Sequence, residues 1–308
     1  MCLAGTRETI SARQESAAPS SHCHDASEPP PPTTANRTGD RSRVSRRALL
    51  GAGLGAALTA ALPATPALAR RVPTRDIVDL TQVFAVDMPT FGPEKPHRET
   101  MADFPMPPDG DFGFYNQRWT FTEHVGTHID PPGHVIGGGR LTPEVTPDEL
   151  LVPAVVIDIR AKAAADPNAT VTVDDVVAFE RRHGRIPRGA AVLMDSGWAD
   201  RWDDGDLAYR GTDSLEEFPF NFPGFDPEAC DFLIRRRDIV GVGVDTLSTD
   251  PGESVDFPAH EVLGRADRWG LENLANLERL PPRGATLVVG LVPWEAGSGG
   301  PCRVLAFW

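Results

Sequence analysis

The chain has 308 residues, 40% of them hydrophobic, and a formal net charge of −14 at pH 7. Nucleic-acid binding needs clustered cationic side chains, so this acidic balance argues against a nucleic-acid partner. The four cysteines form no CxxC pair, and the sequence therefore gives no sign of redox chemistry.

The first 69 residues are predicted to be a leader that precedes the folded domain. Residues 1–40 are rich in Ser, Pro, Thr and Ala, a composition that cannot bury a core and predicts disorder. Residues 41–69 combine the pair Arg46-Arg47, an apolar stretch and an A-x-A end. These features are typical of a signal peptide that the twin-arginine export machinery recognises. We expect cleavage after Ala69 and export to the periplasm or the cell exterior.

A transmembrane anchor is the alternative interpretation of this leader. Its apolar stretch from Ala48 to Leu62 has 15 residues, whereas ~20 are needed to cross a bilayer. We therefore expect no membrane association once the leader is removed. The remaining residues 70–308 are enough for a single domain with a substantial core. Cys230 and Cys302 lie in this part, and nothing in their spacing indicates that they pair.

Strand and helix signals alternate along residues 70–308. Apolar runs and two-residue alternation predict strands at 115–123, 151–160, 190–195, 239–245 and 286–292. Two helices are predicted to begin after the N-caps Thr172 and Asp226, and the first should end at His183-Gly184. The acidic segment 201–223 is predicted to be a long loop near the mouth of the functional site. Many strands with two or three helices indicate a mixed α/β fold.

The segment from His124 to His134 reads His-Val-Gly-Thr-His-Ile-Asp-Pro-Pro-Gly-His. Imidazole nitrogens and carboxylate oxygens are the ligands that a catalytic Zn²⁺ or a similar divalent ion takes. Gly126 and the two prolines after Asp130 prevent a continuous helix. The segment is therefore predicted to be a strand that enters a tight loop and gathers its polar side chains. A structural metal clip or a chance cluster is the alternative, but closed structural zinc sites usually contain cysteine and this segment has none.

This pattern, H-x-G-T-H-x-D-x-P-x-H, resembles the signature of the putative cyclase family, which includes bacterial kynurenine formamidases and isatin hydrolases. The resemblance extends over residues 76–307. Its weaker matches follow the family order, at 79–81, 88–91, 241–248, 260, 271–277, 297–301 and 303–306. The family resemblance implies an α/β fold of the swivelling β/β/α type, a single domain around a small curved sheet, and a homodimer.

The resemblance also implies a set of metal ligands in the first motif. His124 and His128 would hold one metal, and Asp130 would bridge to a second. Carboxylates have two oxygens and can bridge two cations, which supports this division. His134 would remain without a metal and act as the proton shuttle.

Two later residues would complete the site. The resemblance implies that His260 holds the second metal and that Glu272 bridges. A capping or lining role at a helix start is the alternative for His260. A carboxylate at position 272 corresponds to the formamidases of the family, whereas isatin-type members have an amide there. Glu123 and Asp245 are candidate hydrogen-bond acceptors behind the ligand imidazoles.

The implied cofactor is a divalent metal, two zinc ions with manganese as the other possibility, and the implied partner is a small-molecule substrate. Phe91 stands where the family has an aromatic substrate wall, although as Phe rather than Trp. Trp119, Trp198 and Trp202 are further aromatic candidates for the pocket, with a core role as the alternative.

The sequence therefore predicts an exported, metal-dependent amidohydrolase that is similar to arylformamidases. Metal-activated water would cleave a C–N bond of a small aromatic amide, formamide or lactam. Alternatives are hydrolysis of another small ester, carbamate or lactone, a metal-dependent binding protein without turnover, and a polyketide cyclase. The presence of His134 argues against the binding protein, because a protein without turnover has no need of a proton shuttle.

Overall fold

The computed structural model describes residues 76–101, 115–214 and 218–308, which all lie in the compact unit Pro66–Trp308. The predicted extension, signal peptide and cleavage site fall outside these residues, so they stay predictions. Within the described ranges, no helix combines the length and apolarity needed to cross a bilayer.

The described residues contain thirteen strands, and nine of them form one curled sheet in the order β1-β13-β11-β5-β7-β9-β10-β4-β12. The remaining four form two small ribbons, β2 with β3 and β6 with β8. The strands are β1 Ile77–Asp79, β2 His97–Thr100, β3 Gln117–Thr120, β4 His128–Asp130, β5 Leu151–Asp158, β6 Thr170–Val171, β7 Ala191–Asp195, β8 Gly224–Phe225, β9 Gly241–Val244, β10 Trp269–Glu272, β11 Arg283–Gly290, β12 Gly300–Pro301 and β13 Arg303–Phe307.

The centre of the sheet is parallel and its two sides are antiparallel. Strands β5, β7, β9 and β10 run parallel, and β11 and β4 pair antiparallel with the two sides of this group. Parallel strands buried on both faces need apolar side chains throughout, which explains the unbroken apolar sequence of β7 up to Asp195. Strand β4 joins the sheet beside β10, and this pairing positions the functional motif.

Six α-helices occur in the described residues: α1 Pro147–Leu150, α2 Arg160–Ala165, α3 Val173–His183, α4 Asp206–Arg210, α5 Pro227–Arg237 and α6 Pro258–Arg265. Apolar side chains of α3, α5 and α6 pack with one set of strand residues in a buried cluster that includes Val176, Leu233 and Leu263. A second cluster contains the strand residues that alternate with these, among them Leu193 and Leu287. The sheet therefore has a core on each face.

The structure confirms the mixed α/β class and the single curved sheet, but nine strands make that sheet larger than the small one predicted. Helix α3 begins after Thr172, whose hydroxyl accepts from the backbone of Asp175, and it ends at Gly184. Helix α5 begins after the predicted cap Asp226. The segment 201–223 is not only loop, because it contains α4. The prediction of two or three helices was wrong because short helices such as α1 and α2 lack a long apolar repeat.

Candidate metal centre

Strand β4 supplies the centre of the site. Successive side chains of a strand point to opposite faces, so His128 and Asp130 project on the same side. In the antiparallel register between β4 and β10, Glu272 lies opposite His128, and Gly270 lies opposite Asp130. Sheet pairing therefore brings Glu272 beside two candidate ligands that are more than 140 positions earlier in the chain. The sequence placed His128 and Asp130 in a loop, and the structure places them in a short strand.

The residues before β4 form the turn that brings His124 to the same point. Gly126 has φ of +65°, a conformation that glycine adopts without steric cost, which explains the glycine of the motif. A Cβ at Gly299 would lie 2.3 Å from the imidazole of His124, so a side chain there would displace this ring. Both glycines therefore permit the close approach that the His124 side chain needs.

His134 and His260 reach the site from two helical turns. His134 ends a 3-10 turn, Pro132–His134, that directly follows β4. Its ring stacks on that of His124, with centroids 3.7 Å apart. His260 lies in the first turn of α6. His260 therefore does lie at a helix start, as the alternative interpretation predicted. Its imidazole nevertheless also faces the carboxylates of the site.

The donor atoms of these residues converge within a few ångströms. Asp130 Oδ1 lies 2.5 Å from His124 Nδ1 and 3.4 Å from His128 Nε2. Asp130 Oδ2 is 3.7 Å from His260 Nε2. Glu272 is 3.3 Å from His128 Nε2 through Oε2 and 3.2 Å from His260 Nε2 through Oε1. The two carboxylates therefore both lie between imidazoles, which is the arrangement that two bridging ligands require.

Among the described residues, two groups of donor atoms are compact enough to hold an ion: His124, His128 and Asp130 in one, and Asp130, His134 and His260 in the other. Asp130 belongs to both, as the predicted bridging role demands. The second group contains His134, so the geometry also allows His134 to be a ligand.

Hydrogen bonds fix which nitrogen each imidazole turns to the site. His128 Nδ1 donates to the carbonyl of Gly126 at 2.8 Å, which leaves Nε2 facing the carboxylates. His124 Nε2 lies 3.0 Å from the hydroxyl of Ser298, which donates to Glu123 at 2.6 Å. The predicted acceptor Glu123 therefore acts on His124 through Ser298. The segment 297–301 was recognised only as a weak family match, and its link to His124 could not be predicted because Ser298 lies 174 residues away in the chain.

The acceptor behind His260 is Asp250, which the sequence-based predictions missed. Its carboxylate lies 2.6 Å from His260 Nδ1. The other predicted acceptor, Asp245, was wrong. Its carboxylate accepts hydrogen bonds from the hydroxyl and backbone N–H of Ser196 and from the backbone N–H of Trp198, and it contacts none of the site imidazoles. Both carboxylates follow β9, and only the fold distinguishes them.

The electrostatics of the cluster favour positive charge between the carboxylates. Burial opposes protonation of His128, but Asp130 and Glu272 outweigh it and raise its pKa to about 9. Burial likewise opposes the charged form of His260, yet the neighbouring carboxylates of Asp130, Asp250 and Glu272 raise its pKa well above the usual value. The surrounding imidazoles hold the pKa of Asp130 well below its usual range, against the effect of its burial.

These residues fit a divalent cation. His128 Nε2 and Asp130 Oδ2 are buried without a hydrogen-bond partner, a costly state that a metal ion relieves. Mixed imidazole and carboxylate donors suit Zn²⁺ and Mn²⁺. In the metal-free cluster, protons on the imidazoles balance the two carboxylates, and a cation would replace these protons.

A cavity of about 260 Å³ is lined by His124, His128, His134, His260 and Glu272. Apart from the polar groups of the site, its walls are mainly apolar, with Phe91, Val125, Leu247 and Phe257 among them. The structure thus places Phe91 in the cavity wall, where it packs edge-on against Phe220. None of the three candidate tryptophans lines this cavity, and Trp198 and Trp202 are buried in the aromatic cluster behind it. For those two, the core interpretation is correct.

Comparison with known proteins places this site in a family. The sequence model of the Putative cyclase family matches residues 78–251. Isatin hydrolase of Roseibium aggregatum is 37% identical over 207 residues, which cover 64% of this chain and 77% of that protein. Kynurenine formamidase of Salinibacter ruber is 27% identical over 182 residues, covering 59% and 74%.

Solved structures agree. Isatin hydrolase A from Ralstonia solanacearum superposes with a TM-score of 0.69 at 36% identity, over 75% of this chain and 91% of that chain. An isatin hydrolase bound to the product analogue thioisatinate gives a TM-score of 0.68 at 32% identity, over 76% and 92%. The chain therefore belongs to the Putative cyclase family, and it is a metal-dependent amidohydrolase similar to isatin hydrolases and kynurenine formamidases.

Proposed function

We propose that this enzyme hydrolyses the C–N bond of a small aromatic lactam or formamide. The observation that carries the proposal is the convergence of two buried carboxylates and four imidazoles beside a small, mainly apolar cavity. An apolar wall binds the ring of the substrate, and the polar side receives its carbonyl group.

His124, His128, Asp130, His260 and Glu272 would hold the metal. A divalent cation supplies Lewis-acid activation of water and of a carbonyl oxygen. The chain contributes the fixed orientation of these donors, which their hydrogen bonds to backbone and side chains maintain. It also excludes bulk water, because His128, Asp130 and Glu272 are buried.

His134 is proposed as the general base and acid. Its partial removal from water lowers its pKa, and the neighbouring His124 and His260 act in the same direction while Asp130 opposes them. It is therefore neutral at pH 7 and can accept a proton from water, then donate it to the departing nitrogen. It is more exposed than His128, Asp130 and Glu272 and lines the cavity, so a substrate reaches it.

The cavity limits the size of the substrate. Pockets for drug-sized ligands have volumes of about 300–1,000 Å³, so about 260 Å³ suits a compact molecule with one ring system. The relatives point to both amide classes, since some are named isatin hydrolases and others kynurenine formamidases. Overall identity favours the cyclic amide, whereas Glu272 corresponds to the formamidase pattern.

Several finer features are part of the same proposal. Two ions, zinc or manganese, would share Asp130 and Glu272 as bridges. The enzyme would be a homodimer with the swivelling β/β/α topology of its family. It would be exported by the twin-arginine route, which the pair Arg46-Arg47 and the A-x-A end at Ala69 support.

A metal analysis combined with a substrate screen tests the proposal. The purified protein is stripped by chelation, reloaded with Zn²⁺ or Mn²⁺, and assayed against isatin, N-formyl aromatic amines, carbamates, esters and lactones. We expect metal-dependent cleavage of the lactam or the formamide at the highest kcat/KM. Preferential cleavage of an ester or a carbamate would contradict the substrate assignment, and metal binding without turnover of any of these compounds would favour a binding protein.

A further inference from the structure

We propose that Asp250 is a positioning residue that sets the tautomer and direction of the His260 imidazole, and so determines the metal affinity of the second position. This inference rests on the proposed function, because it assigns a role relative to the metal. Asp250 does not contact the cavity, and it is fully buried.

All the contacts of the Asp250 carboxylate lead to the start of α6. Oδ1 accepts from the backbone N–H of Ala259 at 2.7 Å, and Oδ2 accepts from that of His260 at 3.1 Å. Oδ2 also lies 2.6 Å from His260 Nδ1. The Asp250 side chain therefore contacts both the backbone and the ring of His260. Its bonds to the backbone N–H groups hold the carboxylate in a defined place, and the imidazole is oriented against it.

The consequence for the ring is chemical. A carboxylate can only accept a hydrogen bond, so the proton of His260 is held on Nδ1 and the lone pair of the neutral ring lies on Nε2. Nε2 is the atom that faces Asp130 Oδ2 and Glu272 Oε1, at 3.7 and 3.2 Å. The opposite tautomer would turn an N–H toward the ion position and prevent ligation.

The hydroxyl of Thr249 is a competing partner, because it lies 2.9 Å from the same Nδ1. The Asp250 contact is shorter and involves a charged acceptor, and such bonds are about twice as strong as neutral ones. The backbone N–H of Thr249 instead donates to Glu272 Oε1 at 2.9 Å. Two consecutive residues thus hold the two ligands that lie outside the first motif.

The test measures metal binding rather than turnover. The full chain is stripped of metal, and Zn²⁺ affinity is determined by calorimetry and chelator competition for the wild type, Asp250→Asn and Asp245→Asn. Removing the partner of a ligand imidazole typically lowers metal affinity by ~10–100-fold. We expect that loss for one of two bound ions in Asp250→Asn only.

Asp245→Asn is the matched control. Asp245 is also a buried carboxylate that accepts from backbone N–H groups, but it contacts no ligand. It should lose stability without losing Zn²⁺ affinity. Unchanged affinity in Asp250→Asn, or an equal loss in both variants, would overturn the proposal.

A double-mutant cycle separates positioning from folding effects. If Asp250 acts through His260, Asp250→Asn should cause no further loss of Zn²⁺ affinity in a His260→Ala background. A loss that persists in this background would refute the assignment.

Nitrogen chemical shifts of the wild-type histidines provide a test that needs no substitution, so a folding defect of a variant cannot affect it. The zinc-loaded protein should show His260 with its proton on Nδ1, and a proton on Nε2 would overturn the proposal. Neither Zn²⁺ binding nor the tautomer of His260 depends on the substrate. These results therefore remain interpretable if the amide screen finds no activity.

Discussion

Metal binding by this protein should strengthen steeply with pH. His128 must be neutral to ligate, yet its neighbours Asp130 and Glu272 raise its pKa to about 9. At pH 7 the removal of this proton costs about 3 kcal/mol, since each pKa unit corresponds to ~1.4 kcal/mol. Because half of the His128 imidazoles are still protonated at pH 9, Zn²⁺ or Mn²⁺ affinity should increase about 50-fold between pH 7 and pH 9 from His128 alone. His260, whose pKa is also raised, adds to the increase.

The assay is chelator competition at several pH values, corrected for the protonation of the chelator. Calorimetry in buffers of different ionisation enthalpy counts the protons released, and we expect more than one at pH 7. The variant Glu272→Gln tests whether the carboxylates cause this pH dependence, because Glu272 is one of the groups that raise the pKa of His128. The metal affinity of this variant should be lower than that of the wild type and should depend less on pH.

The metal-free protein should show the opposite trend. A histidine with a raised folded-state pKa contributes stability that is complete below pH 6.5 and is lost as the pH rises through about 9. The metal-free fold should therefore unfold at a lower temperature at pH 9 than at pH 6.5, while the loaded protein is stabilised. Affinity that is constant from pH 7 to pH 9, with no proton release, would refute the electrostatic reasoning.

Three further predictions concern single elements of the proposal. His134→Ala should lose ~10²–10⁴-fold in kcat and keep its metal; loss of metal, measured by elemental mass spectrometry, would instead make His134 a ligand. Glu272→Gln should lower occupancy from about two ions to about one, because an amide offers one neutral oxygen in place of two anionic ones; two equivalents bound by both proteins in parallel titrations would remove Glu272 from the site. Replacing Arg46 and Arg47 with Lys should retain the protein in the cytoplasm on cell fractionation, and unchanged export would reject the twin-arginine route.

The candidate ligands could be proposed from the sequence because the metal chemistry restricts side-chain type. Three imidazoles and a carboxylate within eleven residues leave few other interpretations. The helix boundaries of α3 and α5 were similarly readable, since the caps Thr172 and Asp226 act within a few residues of their own position. Signals of this kind are local, so they survive in the sequence without knowledge of the fold.

Contacts between distant segments were not readable. Ser298 reaches His124 only because β12, which follows it, pairs with β4. Asp250 and Asp245 are both acidic residues after β9, and nothing in the sequence shows that Asp250 alone meets His260. The apolar residues Leu247 and Phe257 likewise line the cavity because of how their loop returns to the sheet.

The sequence alone determined which side chains of the first motif are candidates to hold metal and move a proton, because that chemistry depends on residue type and short spacing. Only the tertiary structure decided how those side chains are oriented. The pairing of β4 with β10 places Glu272 opposite His128, and the start of α6 places His260 against Asp130. The hydrogen bonds that select the metal-facing nitrogens connect residues that the chain separates and the sheet brings together.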